Sequence, residues 1–257
     1  VGFRDIPLIG DALEKAKNLV REGMEQGAVG FATGLAYFPN SYSDTEEIIE
    51  LCRAANEKGG VYVTHLRTAN PERGFEGGGV PEALEIGRQS GVPVHFSHYK
   101  TTPQTPGQVA QVTELIDKAK VEGVDSTMEL YPYPSGSTVP LYFFPSYFHE
   151  DGPDAMLAKL KDADEVKRLA DFIDDNYDDR VEDAVFSHVP SEKNRHLEGR
   201  SFSDVATERG ISRGRLICQI TLDEDLAVCF RGSPPKDTAT WRQIDSDTID
   251  LLSRPDY

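Results

Sequence analysis

Between residues 11 and 133 a stripe of helical period and a short β-rich run alternate four times, and this rhythm restricts the possible architectures more than any other feature of the chain. Residues 11 to 26 place Ala12, Ala16, Leu19, Val20 and Met24 along one helical face, ahead of a strand-like run from Gly27 to Gly34. Ser43, with Glu46 three residues on, has the form of a capping box and opens a second helix bearing Ile48, Leu51, Cys52 and Ala55. Gly59-Gly60 stops that helix immediately before Val61-Tyr62-Val63-Thr64-His65-Leu66-Arg67. Pro81 opens a third helix, through Arg88, and Gly91 ends it before the run Val92-Pro93-Val94-His95-Phe96-Ser97-His98-Tyr99-Lys100. A fourth stripe over residues 107 to 122 leads to a strand from Val124 to Tyr131. Single helices of this length between strands require right-handed crossovers and a parallel sheet, closed or open. The expected class is α/β, and 257 residues suit either one barrel or two smaller domains.

Beyond Tyr133 the rhythm fails. Pro, Gly, Ser and aromatic residues crowd positions 132 to 153, an acidic helical stretch runs from Asp154 to about Asn176, and shorter elements follow. Strands are expected over 184 to 189 and 226 to 230, helices over 201 to 209 and 212 to 223, and a last helix reaches Leu252. That last helix has no following strand to feed, so the αβ alternation reads as truncated at Tyr257.

Charge and cysteine usage exclude several function classes. Lys and Arg total 27 against 44 Asp and Glu, a formal charge of −17 that repels nucleic acid and anionic lipid. No apolar run approaches the roughly 18 residues needed to span a bilayer, and no secretory leader is visible. Cys52, Cys218 and Cys229 are odd in number and show no CxxC, which points to a reducing, cytoplasmic setting rather than a disulfide framework or a zinc finger. Cys52 reads as a small core residue. The sequence is silent on oligomeric state.

Chemistry concentrates at the ends of two strands. Side chains alternate along a strand, so Val61, Val63 and His65 are expected on one face, as are Val94, Phe96 and His98, with His95 turned toward the surrounding helices. Both imidazoles then lie at carboxyl ends of parallel strands, the edge where α/β folds build their sites and where two His can share one divalent ion. A lone strand-end His is more often satisfied by a buried hydrogen bond; two on sequential strands, each followed two residues later by a cation (Arg67 and Lys100), favour function. His149, His188 and His196 carry no usable spacing. The glycine-rich loop from Gly74 to Gly79 lacks both GxGxxG and Walker spacing and is not a phosphate cradle.

The segments GFATGLAYFP, VYVTHLR, PEALEIGRQSGVPVHFSHYK and ELYPYPSGST together resemble the N-acyl-D-amino-acid deacylase (D-aminoacylase) family of the metal-dependent amidohydrolases. The likeness is collinear through VPSEKNRHLEGRSFSDVATERG to LLSRPDY. It implies an α/β fold in the form of a partial (β/α)8 TIM-type barrel with a helical insertion, missing its first and last strands. Residues 1–133 would be central βα units, 134–240 the insertion or lid region, and 241–257 the last barrel helix. It implies metal-dependent hydrolysis of the amide bond of N-acyl-D-amino acids, with zinc or another divalent metal and a small-molecule N-acyl amino acid substrate. His65 of a THxR motif and His98 of an SHxK motif match metal ligands; Tyr37, Lys100, Tyr131 and Ser137 match positions that contact substrate, and Arg67 matches a motif position of less defined role. The HxH pair and bridging ligand of such enzymes would precede Val1 and the catalytic Asp would follow Tyr257, so the stretch by itself is expected to be inactive. A cyclic amidohydrolase of hydantoin or dihydropyrimidine type, or a non-catalytic barrel that binds a small anion, are the alternatives.

Overall fold

A computed structural model describes residues 2–133, 135–232, 234–255 and 257. By its internal contacts the chain divides into two units, one of residues 3–132 with 239–257 and the other of residues 133–238.

The first unit realises the alternation read from the sequence. In chain order it runs α1 (Gly10–Glu25), β1 (Gly30–Gly34), α2 (Thr45–Asn56), β2 (Val61–His65), α3 (Gly79–Ser90), β3 (Val94–Phe96), α4 (Val109–Val121) and β4 (Ser126–Met128). The strands form a parallel sheet in sequential order, β1-β2-β3-β4. The helix boundaries have local causes. Asp44 caps α2 by accepting from Glu47 N at 2.8 Å, and Gly91, at φ 72°, ends α3 in the left-handed region that glycine adopts freely. The capping box expected at Ser43 and Glu46 is therefore displaced by one residue: Ser43 Oγ instead donates to the Glu47 carboxylate at 2.8 Å.

One face of the sheet is dry. Tyr62, Val94 and Phe96 are fully buried and pack with Ile48, Ile49, Cys52, Leu84, Ile86 and Ile116 from α2, α3 and α4. Each large side chain removed from water there contributes about 1.5–3 kcal/mol, and the sheet is held flat against its helices by this burial. Cys52 is the core residue expected, and burial pushes its thiol well above the ordinary range. The strand register corrects the facing assigned from the sequence. Val94 and Phe96 stand beside Tyr62 and Thr64 on the helix side, whereas His95 stands beside Val63, on the opposite face with His65.

The second unit is built differently. A small sheet, ordered β5-β7-β6, pairs β5 (Ser137–Thr138) and β6 (Val185–His188) antiparallel to β7 (Cys229–Arg231). Around it lie α5 (Ser146–His149), α6 (Pro153–Lys161), α7 (Ala163–Val181), α8 (Phe202–Arg209) and α9 (Arg213–Asp223). The long acidic helix expected over 154 to 176 is two helices, because Asp162 leaves helical geometry and caps α7 through Asp164 N and Glu165 N. A Cβ added at Gly214 would meet the Ala170 carbonyl oxygen at 2.3 Å, so glycine is what permits α9 to approach α7 so closely. Helix α10 (Thr238–Leu252) follows, and from it Asp247 accepts from Thr101 Oγ1 at 2.7 Å and from Gly107 N at 2.8 Å within the first unit. No helix among the described residues is long and apolar enough to cross a membrane.

Candidate metal and substrate site

The carboxyl ends of β2 and β3 carry the two imidazoles, and they meet. His65 Nδ1 lies 2.7 Å from His98 Nε2, with ring centroids 4.5 Å apart and ring planes at 67°. His65 arrives there by simple strand alternation. His98 does not, because alternation past Phe96 would carry it to the helix side.

The backbone beyond β3 explains the difference. Phe96 faces Met128 in register, so an unbroken parallel ladder would run from Glu129 N to Phe96 O and then from residue 98 N to Glu129 O. The first bond is present at 3.0 Å, but the second is made by Tyr99 N, at 2.9 Å. Ser97 and His98 together thus oppose Glu129, which is a β-bulge, and one extra residue reverses the face of everything after it. His98 takes a left-handed φ of 42° to make the turn. For a residue with a Cβ that conformation costs about 1–2 kcal/mol, and such outliers concentrate at functional sites. The His98 N–H displaced from the ladder donates instead to Glu129 Oε1 at 2.7 Å, and Ser97 N donates to Thr64 O on the other side at 3.0 Å.

Aromatic and cationic groups of the first unit extend from this pair. The Tyr37 ring lies 4.9 Å from that of His65, and the Tyr131 ring 6.2 Å from that of His98. Lys100 Nζ sits 4.4 Å over the Tyr131 ring and donates to the Tyr131 carbonyl at 3.2 Å. Tyr37 is presented by a turn in which its N–H bonds Gly34 O at 2.9 Å, while Gly34 N donates to Asn40 Oδ1 at 2.9 Å. The electrostatics are those of a partly dehydrated cleft. Loss of hydration, helped by His98, pushes His65 down to about 4, so its ring is neutral and its nitrogen lone pair available near pH 7. Burial also lowers Lys100, against the pull of Asp245, and raises Tyr131. Lys100 held with reduced hydration is a point charge suited to a carboxylate, and the phenols of Tyr37 and Tyr131 can donate to carbonyl or carboxylate oxygen.

Two other residues singled out in the sequence stand elsewhere. Ser137 belongs to the second unit, on β5, where its Oγ donates to Phe230 O at 3.0 Å. Arg67 is sealed inside the first unit, its side chain fully buried. Its Nε bonds both Glu82 oxygens at 3.1 and 2.9 Å, and its remaining nitrogens donate to the carbonyls of Ser41 at 2.9 Å and Ser43 at 2.7 Å. Its donors are thus taken up by groups of the fold, which gives the motif position of less defined role the surroundings of a structural residue. The glycine-rich loop is explained by the same arginine: a Cβ on Gly74 or Gly78 would come within 2.8 Å of Arg67 Cδ, and Gly78 adopts φ 90°. The loop lies directly on the arginine stem.

As a metal site the donor set fits in part. Two imidazoles with converging nitrogens suit a divalent ion of the zinc type, whose ligand nitrogens stand about 3.3 Å apart at bonds of about 2.05 Å, so the pair must open slightly and give up its mutual hydrogen bond. Among the described residues no group of three or more His, Cys, Asp or Glu is placed to hold a metal.

No family model matches the chain. Among curated proteins it is similar to the D-aminoacylase of Alcaligenes xylosoxydans xylosoxydans, at 39% identity over 128 residues, and to the N-acyl-D-glutamate deacylase of the same organism, at 36% over 124 residues. Each alignment takes in 48% of this chain and 25% of the relative, so the matched stretch spans about a quarter of the relatives' length. Among solved structures it is similar to the N-acyl-D-glutamate deacylase from Bordetella bronchiseptica, described as complexed with zinc and a phosphonate mimic of the tetrahedral intermediate. The TM-score is 0.66 at 21% identity, over 98% of this chain and 42% of that one, a likeness of fold. The first unit's parallel strands and helices thus share the α/β fold of part of a TIM-type barrel, and the likeness to N-acyl-D-amino-acid deacylases read from the motifs is found again among the curated relatives.

Proposed function

We propose that the chain is part of a zinc-dependent hydrolase that cleaves the amide bond of N-acyl-D-amino acids. The observation that carries the reading is the 2.7 Å approach of His65 Nδ1 and His98 Nε2 at the carboxyl ends of adjacent parallel strands. Similarity to deacylases of N-acyl-D-glutamate and to D-aminoacylase supports the substrate class. His65 and His98 are assigned as metal ligands, and Tyr37, Tyr131 and Lys100 as groups that hold the substrate. Ser137 joins that set on its motif match alone, and Arg67 is assigned to the fold. Two imidazoles are fewer than the three or more protein ligands a catalytic zinc takes, so the described residues supply only part of the centre. When bound, zinc lowers the pKa of a coordinated water and polarises the scissile carbonyl. The chain's own residues do the rest: His65 stays unprotonated because it is dehydrated, Lys100 pairs with the substrate carboxylate, and the two tyrosines orient it. The contact-based division at 132 and 239 supports treating residues 134–240 as an insertion. Unpaired Cys52, Cys218 and Cys229 support a cytoplasmic setting.

The test is release of free D-amino acid from N-acetyl-D-glutamate, N-acetyl-D-aspartate and an apolar N-acetyl-D-amino acid, measured in the whole polypeptide that contains this chain. Turnover that is lost to chelation, restored by zinc and abolished by His98→Ala is expected. Undiminished turnover in His98→Ala would sink the assignment.

A further inference from the structure

We propose that Glu129 is a positioning residue that builds the bulge presenting His98 to His65, an inference that rests on the metal-site reading only for its consequence. Glu129 alone closes three hydrogen bonds on the 96–99 segment. Its N–H donates to Phe96 O, its carbonyl accepts from Tyr99 N, and its carboxylate accepts from the N–H of His98 at 2.7 Å. The main-chain bonds fix where the ladder resumes and so force an extra residue between Phe96 and Tyr99. They do not fix how that residue turns. The carboxylate does, because in the left-handed turn His98 adopts, at φ 42°, the N–H that the bulge displaces meets it at 2.7 Å, and a hydrogen bond to a carboxylate is the stronger kind. The imidazole then turns to the His65 face instead of the helix face. Glu129 itself is exposed, so nothing in the packing of the core asks for it. Its carboxylate touches neither imidazole in any hydrogen bond of the structure and acts on His98 only through the main chain.

The experiment uses two substitutions in the metal-free protein and in its Co²⁺ titration. Glu129→Leu keeps the approximate side-chain volume and removes the acceptor; Glu129→Gln keeps an acceptor oxygen. Crystal structures of the metal-free forms are expected to show His98 leaving the left-handed region and its ring parting from His65 in Glu129→Leu, with both features kept in Glu129→Gln. In the titration Glu129→Leu is expected to weaken Co²⁺ binding by about 10- to 100-fold, and Glu129→Gln by less than about threefold, at an unchanged melting temperature. An unmoved His98 in the Glu129→Leu structure overturns the inference, as does a fall in melting temperature equal in both variants. Failure of the parent protein to bind Co²⁺ counts against the metal reading instead, and the metal-free structures still decide the role of Glu129.

Discussion

His65 and Arg67 stand two residues apart at the end of β2, in one short motif, yet the protein treats them in opposite ways. Arg67 is sealed beneath a glycine loop, with Glu82 and the carbonyls of Ser41 and Ser43 meeting its guanidinium on every side. His65 is half-buried, faces another imidazole, and is dehydrated enough to remain neutral. A charged group whose donors are all consumed by its own fold has the surroundings of a structural part; two imidazoles facing each other at a sheet edge, with a lysine and two phenols beside them, have those of the proposed site. The difference lies in who the partners are, and residue type alone does not reveal it.

The largest effect that could break this contrast is on Arg67. Arg67→Met leaves Glu82 as a buried charge with only Thr45 Oγ1, 2.9 Å away, still bonded, and is expected to lower stability by about 3–5 kcal/mol in denaturant unfolding. Replacing both partners by methionine should recover much of that loss, and a double variant no better than Arg67→Met would show that the ion pair is not what holds the loop. An acid effect comes next. The folded pKa of His65 is about 4 against about 6.5 in the unfolded chain, so between those values the unfolded state binds a proton that the folded state refuses. Stability should therefore be full above about pH 6.5, fall as the pH drops toward 4, and level off below it, by a ceiling of about 3 kcal/mol. Buried His149 in the second unit, also pushed down to about 4, adds to the same window, so the site's share is the part that disappears in His65→Gln. The smallest effect is expected from His98→Asn, which suits a left-handed φ: unfolding free energy within about 1 kcal/mol of the parent, with metal binding lost. A large loss of stability there would make His98 a structural residue like Arg67.

Much of the first unit was legible because its signals are local. The stripe Ile48, Leu51, Cys52 and the stops at Gly59-Gly60 and Gly91 place α2 and α3 within a few residues, and the motif resemblance brought His65, His98, Tyr37, Lys100 and Tyr131 forward together. What the sequence hid was non-local. The fate of Arg67 depends on Glu82, fifteen residues away, across a loop whose glycines are the one visible sign that something must pass close beneath them. The facing of His95 and of Val94 and Phe96 depends on register, and strict alternation reversed it; His98 reaches His65 as expected, but through a bulge that alternation does not reveal. Glu129 lies inside the ELYPY motif, yet nothing in its type or spacing distinguishes a main-chain acceptor from a solvated carboxylate.

The bulge between Phe96 and Tyr99 has a consequence for how such a chain can vary through descent. Exchanging Ser97 for another residue leaves the count of residues opposite Glu129 intact. Deleting it lets the ladder close without interruption and swings the imidazole into the helices, while every residue of the site is still encoded. At this point of the strand the number of residues is the inherited information, and a loss of length is more damaging than a change of letter.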